Sequence, residues 1–329
     1  MWKKLEDDYR QHGLVFALGA GVSLGCNLPD WSELLKRLAE VNGVHSLADI
    51  LEAGFSLPSA AAVIERTYSD REEFSDSVRH ALYREFPYYP NGYSKSRTGE
   101  FLSYVRTSNP TLRAVASFCG KKIATQKFEA NPHVHGVITF NLDALLQAYT
   151  TARFRKRILR TVDRPSASSI SGKISVYHVH GFLRYDTRAG ERTKEAPDAM
   201  VLSENDYFDV FSDPTSLFTY AFLYLLREHP MLFVGLSMQD DNLRRLLHYS
   251  AREIRRAYEA EGVRVSESKI LRHYAILERP KRDKLKGVIE SSLAQLGVAA
   301  LWLDDFKEIP DRLGALYETA EGMNWNDVW

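Results

Sequence analysis

Short apolar runs recur along this chain, each breaking off at small or polar residues and each followed by an amphipathic stretch. This alternation limits the fold more than any other feature. LVFALGAG (14–21), HGVITFN (135–141), KISVYHVHG (173–181), PMLFVGLS (230–237), KILRHYAILE (269–278) and VAALWLDD (298–305) read as buried strands. Helical periodicity fills much of the chain between them, as in PDWSELLKRLAEV (29–41), LDALLQAYTTARFRKRIL (142–159), YFDVFSDPTSLFTYAFLYLLREH (207–229), QDDNLRRLLHYSAREIRRAYEAEG (239–262) and KLKGVIESSLAQLG (284–297). Strands alternating with helices imply an α/β fold with a mostly parallel sheet covered on both faces. With 44% of 329 residues apolar, there is enough material for one large core.

Between the first two strands the pattern is almost entirely helical. SLADILEAG, SAAAVIERTYS, REEFSDSVRHALYREF and NPTLRAVASFCGKKIATQ are four helical pieces, interrupted by PYYPNGYSKSRTGE, which reads as an exposed loop. This is too much chain for one crossover, so 44–130 is read as an inserted helical lobe. RYDTRAGERTKEAPDAM (184–200) reads as a polar loop, IPDRLGALYETA as a last helix, and GMNWNDVW as a tail whose two tryptophans dock on the body or on a neighbour. The basic RFRKR reads as a solvated helix face.

Lys plus Arg equals Asp plus Glu, at 43 each, so net charge gives no pull toward nucleic acid or an anionic membrane. The two cysteines, Cys26 and Cys119, cannot build a disulfide framework or a four-cysteine zinc module. The polar start and the short, charge-broken apolar runs read as a cytoplasmic protein with no membrane segment.

In a parallel sheet, ligands gather beyond the carboxyl ends of the strands. Gly19, Ala20, Gly21, Ser23 and Gly25 follow the first strand, and Asp30 stands at the start of the next helix with Glu33 at capping-box spacing. Glycines there permit a positive-φ turn and bring backbone N–H groups and a helix N-terminus toward a diphosphate. The spacing matches neither Gly-x-Gly-x-x-Gly nor a Gly-Lys-Ser/Thr loop, and a purely structural turn explains it equally well. Other strand ends carry Thr139, Asn141 and Asp143; His180 and Gly181; and Gly235, Ser237, Asp240 and Asn242. Each has a plain alternative: Asp143 and Asp240 as helix caps, Asn141 bonded within its loop, His180 as a satisfied structural histidine. HVHG occurs at 133–136 and again at 178–181, and four histidines invite a metal. One pair begins its strand and the other ends its strand, roughly 20 Å away for a six-residue strand, which argues against a shared site.

Taken in order, GAGVS with LPDW, ITFNLD, HG and VGLS resemble the motifs of the sirtuin NAD-binding fold, and within it the SIR2-like branch of bacterial anti-phage NAD hydrolases. The resemblance covers most of 12–310 and implies a Rossmann-like core of the sirtuin type. That core would begin in 1–43, resume in 131–310 after the inserted lobe, and be followed by a C-terminal helix and tail at 311–329. It implies NAD+ as substrate and no metal. Gly19, Ala20, Gly21, Ser23, Asp30, Thr139, Gly235, Ser237 and Asn242 would bind NAD+, with Asn141, His180 and Asp143 catalytic. Phe140 replaces the family's glutamine, Trp31 and Ser32 replace its Phe-Arg, and the zinc-binding cysteine quartet is absent. These departures favour hydrolysis of NAD+ to nicotinamide and ADP-ribose in antiviral defence. The alternatives are an NAD-dependent protein deacylase and a non-catalytic NAD or ADP-ribose-binding subunit. The resemblance further implies control by homo-oligomerisation or by a separate partner, such as a HerA-like ATPase or a short Argonaute-like subunit. Direct nucleic-acid binding is not expected, and preference between NAD and NADP stays open.

Overall fold

The computed structural model describes residues 1–42, 46–92, 95–125, 127–163, 172–186, 200–213, 216–262 and 270–329. The alternation read from the sequence is realised as a doubly covered parallel sheet. Its strands are β1 (Leu14–Leu18), β4 (Val134–Thr139), β5 (Leu159–Val162), β6 (Ile174–His178), β7 (Met231–Val234), β8 (His273–Glu278) and β9 (Val298–Leu303). They lie in the order β5-β6-β4-β1-β7-β8-β9, and every neighbouring pair is parallel. A separate antiparallel hairpin joins β2 (Gly120–Ala124) to β3 (Lys127–Ala130).

The central strand is β1. All five of its residues are buried, and alternate side chains enter opposite layers. Leu14, Phe16 and Leu18 join one apolar cluster with α1 (Trp2–His12), α2 (Trp31–Asn42), α5 (Arg71–Tyr83), α7 (Pro110–Phe118), α8 (Leu145–Phe154) and α13 (Ile309–Glu321). Val15 and Ala17 join the other with α10 (Leu217–Glu228), α11 (Asp241–Ala260) and α12 (Lys284–Gln295). After β1 the chain moves to one side of the sheet, and β7 starts the other side. The β1/β7 boundary is therefore the switch point where such sheets open a crevice.

The stretch 44–130 holds α3 (Leu47–Glu52), α4 (Leu57–Glu65), α5, α6 (Thr98–Ser108), α7 and the β2–β3 hairpin. Side chains from these helices enter the same core as β1. Ser46, Ser56, Asp70 and Asn109 cap four of them by accepting a backbone N–H in the first turn.

Several elements depart from the sequence reading. The helix read through NPTLRAVASFCGKKIATQ stops at Phe118, and Gly120 opens a strand instead. A Cβ at Gly120 would lie 2.3 Å from the Phe154 ring, so only glycine lets β2 cross there. The helix read through RFRKRIL stops at Phe154, where Arg155 turns left-handed with φ 51°, and Leu159–Val162 adds an edge strand to β6. The single helix read over 207–229 is two, α9 (Glu204–Ser212) and α10. The polar N-terminus is helical through His12, with Leu5 and Tyr9 buried. Most of the polar loop read at 184–200, namely 187–199, lies outside the described residues. Among the described residues no helix is long and apolar enough to cross a membrane.

Both tail tryptophans dock on the body. Trp325 lies over Gly314, where a Cβ would approach it to 2.8 Å, and packs on Phe118 and Tyr317. Trp329 stacks on Trp325 and takes the Arg113 guanidinium over its ring at 3.8 Å. A Trp325→Ala variant is expected to lose about 3–5 kcal/mol of stability, read as a lower urea midpoint with an unchanged slope.

Candidate functional site

At the carboxyl end of β1 the backbone meets that of β7. Gly19 N–H donates to Val234 O at 3.0 Å, and Gly21 N–H donates to Gly235 O at 3.1 Å. A Cβ on Gly19 would lie 2.5 Å from Gly235 O, one on Gly21 2.7 Å from Gly235 Cα, and one on Gly235 2.7 Å from Val22 N. These glycines are required because two backbones touch. None of Gly19, Gly21 and Gly25 takes the expected positive φ; in this loop it falls at Asn27 with φ 61°, and across the crevice at Gly235 with φ 69°. Gly19 itself is extended, with φ −122°.

The turn then continues as two 3-10 turns, Ala20–Val22 and Leu24–Cys26, with Val22 N–H donating to Gly19 O and Ser23 N–H to Ala20 O. The amides of Gly19, Gly21, Val22 and Ser23 are thus spent on carbonyls, which corrects the expectation of an open amide nest. Ala20 and Gly21 remain at the surface of the crevice, half-buried and exposed. The α2 N-terminus is occupied as well: exposed Asp30 accepts Glu33 N–H at 2.8 Å, so Asp30 is a helix cap.

The strand-end polar residues of β4 close onto this turn. Asn141 Nδ2 donates to Gly19 O at 3.0 Å and to Ser23 Oγ at 3.2 Å, and its N–H donates to Thr139 Oγ1 at 3.1 Å. Ser23 Oγ donates to Asp143 Oδ2 at 2.6 Å, and Asp143 Oδ1 accepts Leu145 N–H at 2.9 Å. Asp143 is therefore a tie between the β1 turn and the start of α8, with a donor on each oxygen. Burial pushes its carboxyl pKa up, against the pull of those donors. Tyr83 of α5 secures the same loop, accepting Ala144 N–H at 2.9 Å and donating to Leu183 O at 2.8 Å.

Beneath Asn141 lies buried His178. Its Nδ1 faces Asn141 O at 3.1 Å and its Nε2 faces Gln147 Nε2 at 2.7 Å. Burial pulls this imidazole down to about 4. Ser23, Thr139, Asn141, Asp143, Gln147 and His178 share a small cavity floored by Leu18 and Val176.

His180 has different surroundings. It is 5% exposed, and its ring meets Phe140 at 5.2 Å, Tyr207 at 5.6 Å and Trp31 at 5.9 Å, all near edge-on. Trp31 and Tyr207 stack on each other at 5.6 Å. Burial holds the His180 imidazole below its ordinary value, while the Asp240 carboxylate and the Phe140 backbone oppose that shift. Tyr207 OH donates to Asp240 Oδ2 at 3.4 Å, and Asp240 Oδ1 caps α11 through Leu243 N–H at 2.7 Å. Tyr207 is placed by α9, which α4 and α5 grip: Arg71 pairs with Asp206 at 2.8 Å, and Ser59 Oγ donates to Glu204 at 3.2 Å. Beyond β7, Ser237 is exposed and Asn242 is half-buried in the first turn of α11.

The other histidine pair lies at the opposite edge of the sheet. His135 stacks on His229 at 3.8 Å, and His133 Nδ1 meets Glu321 at 2.8 Å. Among the described residues no group of three or more His, Cys, Asp or Glu is placed to hold a metal ion.

The sequence profile of the SIR2-like domain family matches residues 135–301. The chain belongs to the SIR2-like domain family. No curated protein matches it. The matched stretch runs from β4 into β9 and carries Thr139, Asn141, Asp143, His180 and Gly235. Sequence reasoning gave no role to Tyr83, Gln147 or Tyr207, which lie in helices with no motif spacing to mark them.

His178 gives the site an acid limit. Its pKa in the folded protein is about 4, below the ordinary 6.5, so the stability it contributes is complete above pH 6.5 and is lost as pH falls toward 4. That difference corresponds to about 3 kcal/mol. Unfolding free energies from urea curves measured from pH 7 to 4 are expected to fall by about that amount less for His178→Asn than for the parent.

Proposed function

We propose that this SIR2-like chain hydrolyses NAD+ to nicotinamide and ADP-ribose. One observation carries the reading. A buried histidine closes one strand end among aromatic rings, its imidazole pulled below its ordinary value by burial, and an oriented asparagine closes the adjacent strand end, both at the carboxyl edge that bears the glycine crevice.

The residues fit NAD+ in three respects. Ala20 and exposed Gly21 present the β1 turn to the crevice with little or no side chain, which is where the dinucleotide's diphosphate would approach. Thr139 orients Asn141, whose side-chain oxygen accepts from ribose hydroxyls or the attacking water, its two side-chain N–H groups being spent on Gly19 and Ser23. Trp31, Phe140 and Tyr207 offer flat apolar surface to nicotinamide and exclude bulk water. Asp30, Ser237 and Asn242 contribute at the margin of the dinucleotide.

In the reaction the C1′–nitrogen bond breaks and its electron pair neutralises the pyridinium nitrogen, so nicotinamide leaves without a proton. Water oxygen bonds to C1′, and the water's proton passes to His180 and then to solvent. A neutral imidazole is the form that accepts a proton. Asp143 acts by holding Ser23 and the α8 start in register.

The wider role we propose is that of an effector in prokaryotic antiviral defence, in the cytoplasm. Activity there is restrained by homo-oligomerisation or by a separate protein such as a HerA-like ATPase or a short Argonaute-like subunit. This extends the SIR2-like resemblance. The nearly closed cover over His180 supports a need for activation.

His180→Ala and Asn141→Ala are each expected to cut nicotinamide release by about 10²-fold while keeping a cooperative unfolding transition. Chromatography of the products beside a melting curve checks both. Two folded variants turning over NAD+ at the parent rate would remove the reading.

A further inference from the structure

The residue that fixes Asn141 is not among the groups assigned to the reaction. Asn141 O can only accept, so the proton of His178 sits on Nδ1 and is donated there across 3.1 Å. His178 Nε2 is then an acceptor, and Gln147 Nε2 donates to it at 2.7 Å while also donating to Thr161 Oγ1 at 3.2 Å. Phe182 packs edge-on against the ring at 4.6 Å. The ring is 1% exposed and its orientation is set on three sides. Asn141 is consequently held at both ends. Its carbonyl is tied to β6 through His178, and its side-chain amide is tied to Gly19 and Ser23 on the other flank of β4.

We propose that His178 is a positioning residue, a staple from β6 that sets the Asn141 peptide and through it the aim of the Asn141 amide. This rests on the hydrolase reading for its catalytic consequence. The two histidines of HVHG thereby divide the work. His178 faces α8 from within the sheet, and His180, beyond the strand end, meets the aromatic rings. Loss of the Nδ1–H leaves a carbonyl without its donor inside the protein, and the cheapest relief is rotation of that peptide.

The test compares His178→Leu with His178→Asn in the full chain. The asparagine amide nitrogen falls where Nδ1 was, so it can restore the bond to Asn141 O, whereas leucine cannot. Two readouts are taken. One is steady-state NAD+ hydrolysis. The other is amide hydrogen exchange over 139–145, where the N–H groups of Asn141, Ala144 and Leu145 are tied by Thr139, Tyr83 and Asp143. His178→Leu is expected to lower kcat by about tenfold or more, with KM within about twofold, and to speed exchange in this segment. His178→Asn is expected to recover most of both. Parent-like exchange in a folded His178→Leu, or an asparagine variant no better than leucine, overturns the proposal. Should the leucine variant not fold, Gln147→Leu removes the donor to Nε2 and carries the same comparison. A parent chain that releases no nicotinamide removes the hydrolase reading, and the exchange comparison still decides the staple.

Discussion

The structure turns on a place where two backbones touch without side chains between them. Gly19 and Gly21 lie against Gly235 at distances that no Cβ permits, and hydrogen bonds cross from the first strand's turn to the end of β7. This contact brings β1 and β7 together at the point where the strand order reverses. Once the turn is held there, Gly19 O and Ser23 Oγ stand where Asn141 can reach them, and Ser23 can reach Asp143. The polar network beyond the strand ends is thus a consequence of backbone packing. A side chain at any of the three positions would displace the groups that the network binds.

Burial then decides the chemistry of each titratable group. Asp143 is pushed up and His178 and His180 are pushed down, all chiefly because charge is costly away from water. What separates the two histidines is their partners. His178 spends both ring nitrogens on fixed protein groups, which makes it a spacer of set length. His180 has the Asp240 carboxylate acting on it, which eases proton uptake, and its ring faces aromatic edges. The same residue type two positions apart in one sequence motif therefore serves two ends, because one lies within the strand and packs toward α8 and the other lies beyond the strand end among aromatic rings.

The parallel sheet and the identity of the strand ends were legible in the sequence because buried strands announce themselves as apolar runs. Asn141, Asp143 and His180 stood out as polar groups ending such runs. Their roles were less legible. Asp143 had a helix-cap alternative, and the structure gives it both a cap-like bond to Leu145 and a tie to Ser23. Gly19 and Gly21 were read as conformational glycines, yet their need is steric, and steric need depends on Gly235, more than two hundred residues away. Edge strand β5 and the β2–β3 hairpin were missed because short, polar strands carry little periodicity and their breaks depend on Arg155 and Gly120 meeting particular neighbours. Tyr207 was invisible because nothing local in its helix distinguishes it from a surface aromatic. It is the pairing of Arg71 with Asp206, between distant helices, that sets it over His180.

The family match covers residues 135–301, but the site does not stop there. Asn141 from the matched stretch is oriented by Gly19 and Ser23, its loop is secured by Tyr83, and Trp31 is one of the three rings around His180. All of these precede the match. Helices α4 and α5 hold α9, so even Tyr207, inside the matched stretch, depends on chain outside it. The matched half supplies the strand-end asparagine and histidine. The first 130 residues supply the surfaces that aim the one and enclose the other, so the proposed chemistry requires both halves to fold as one core.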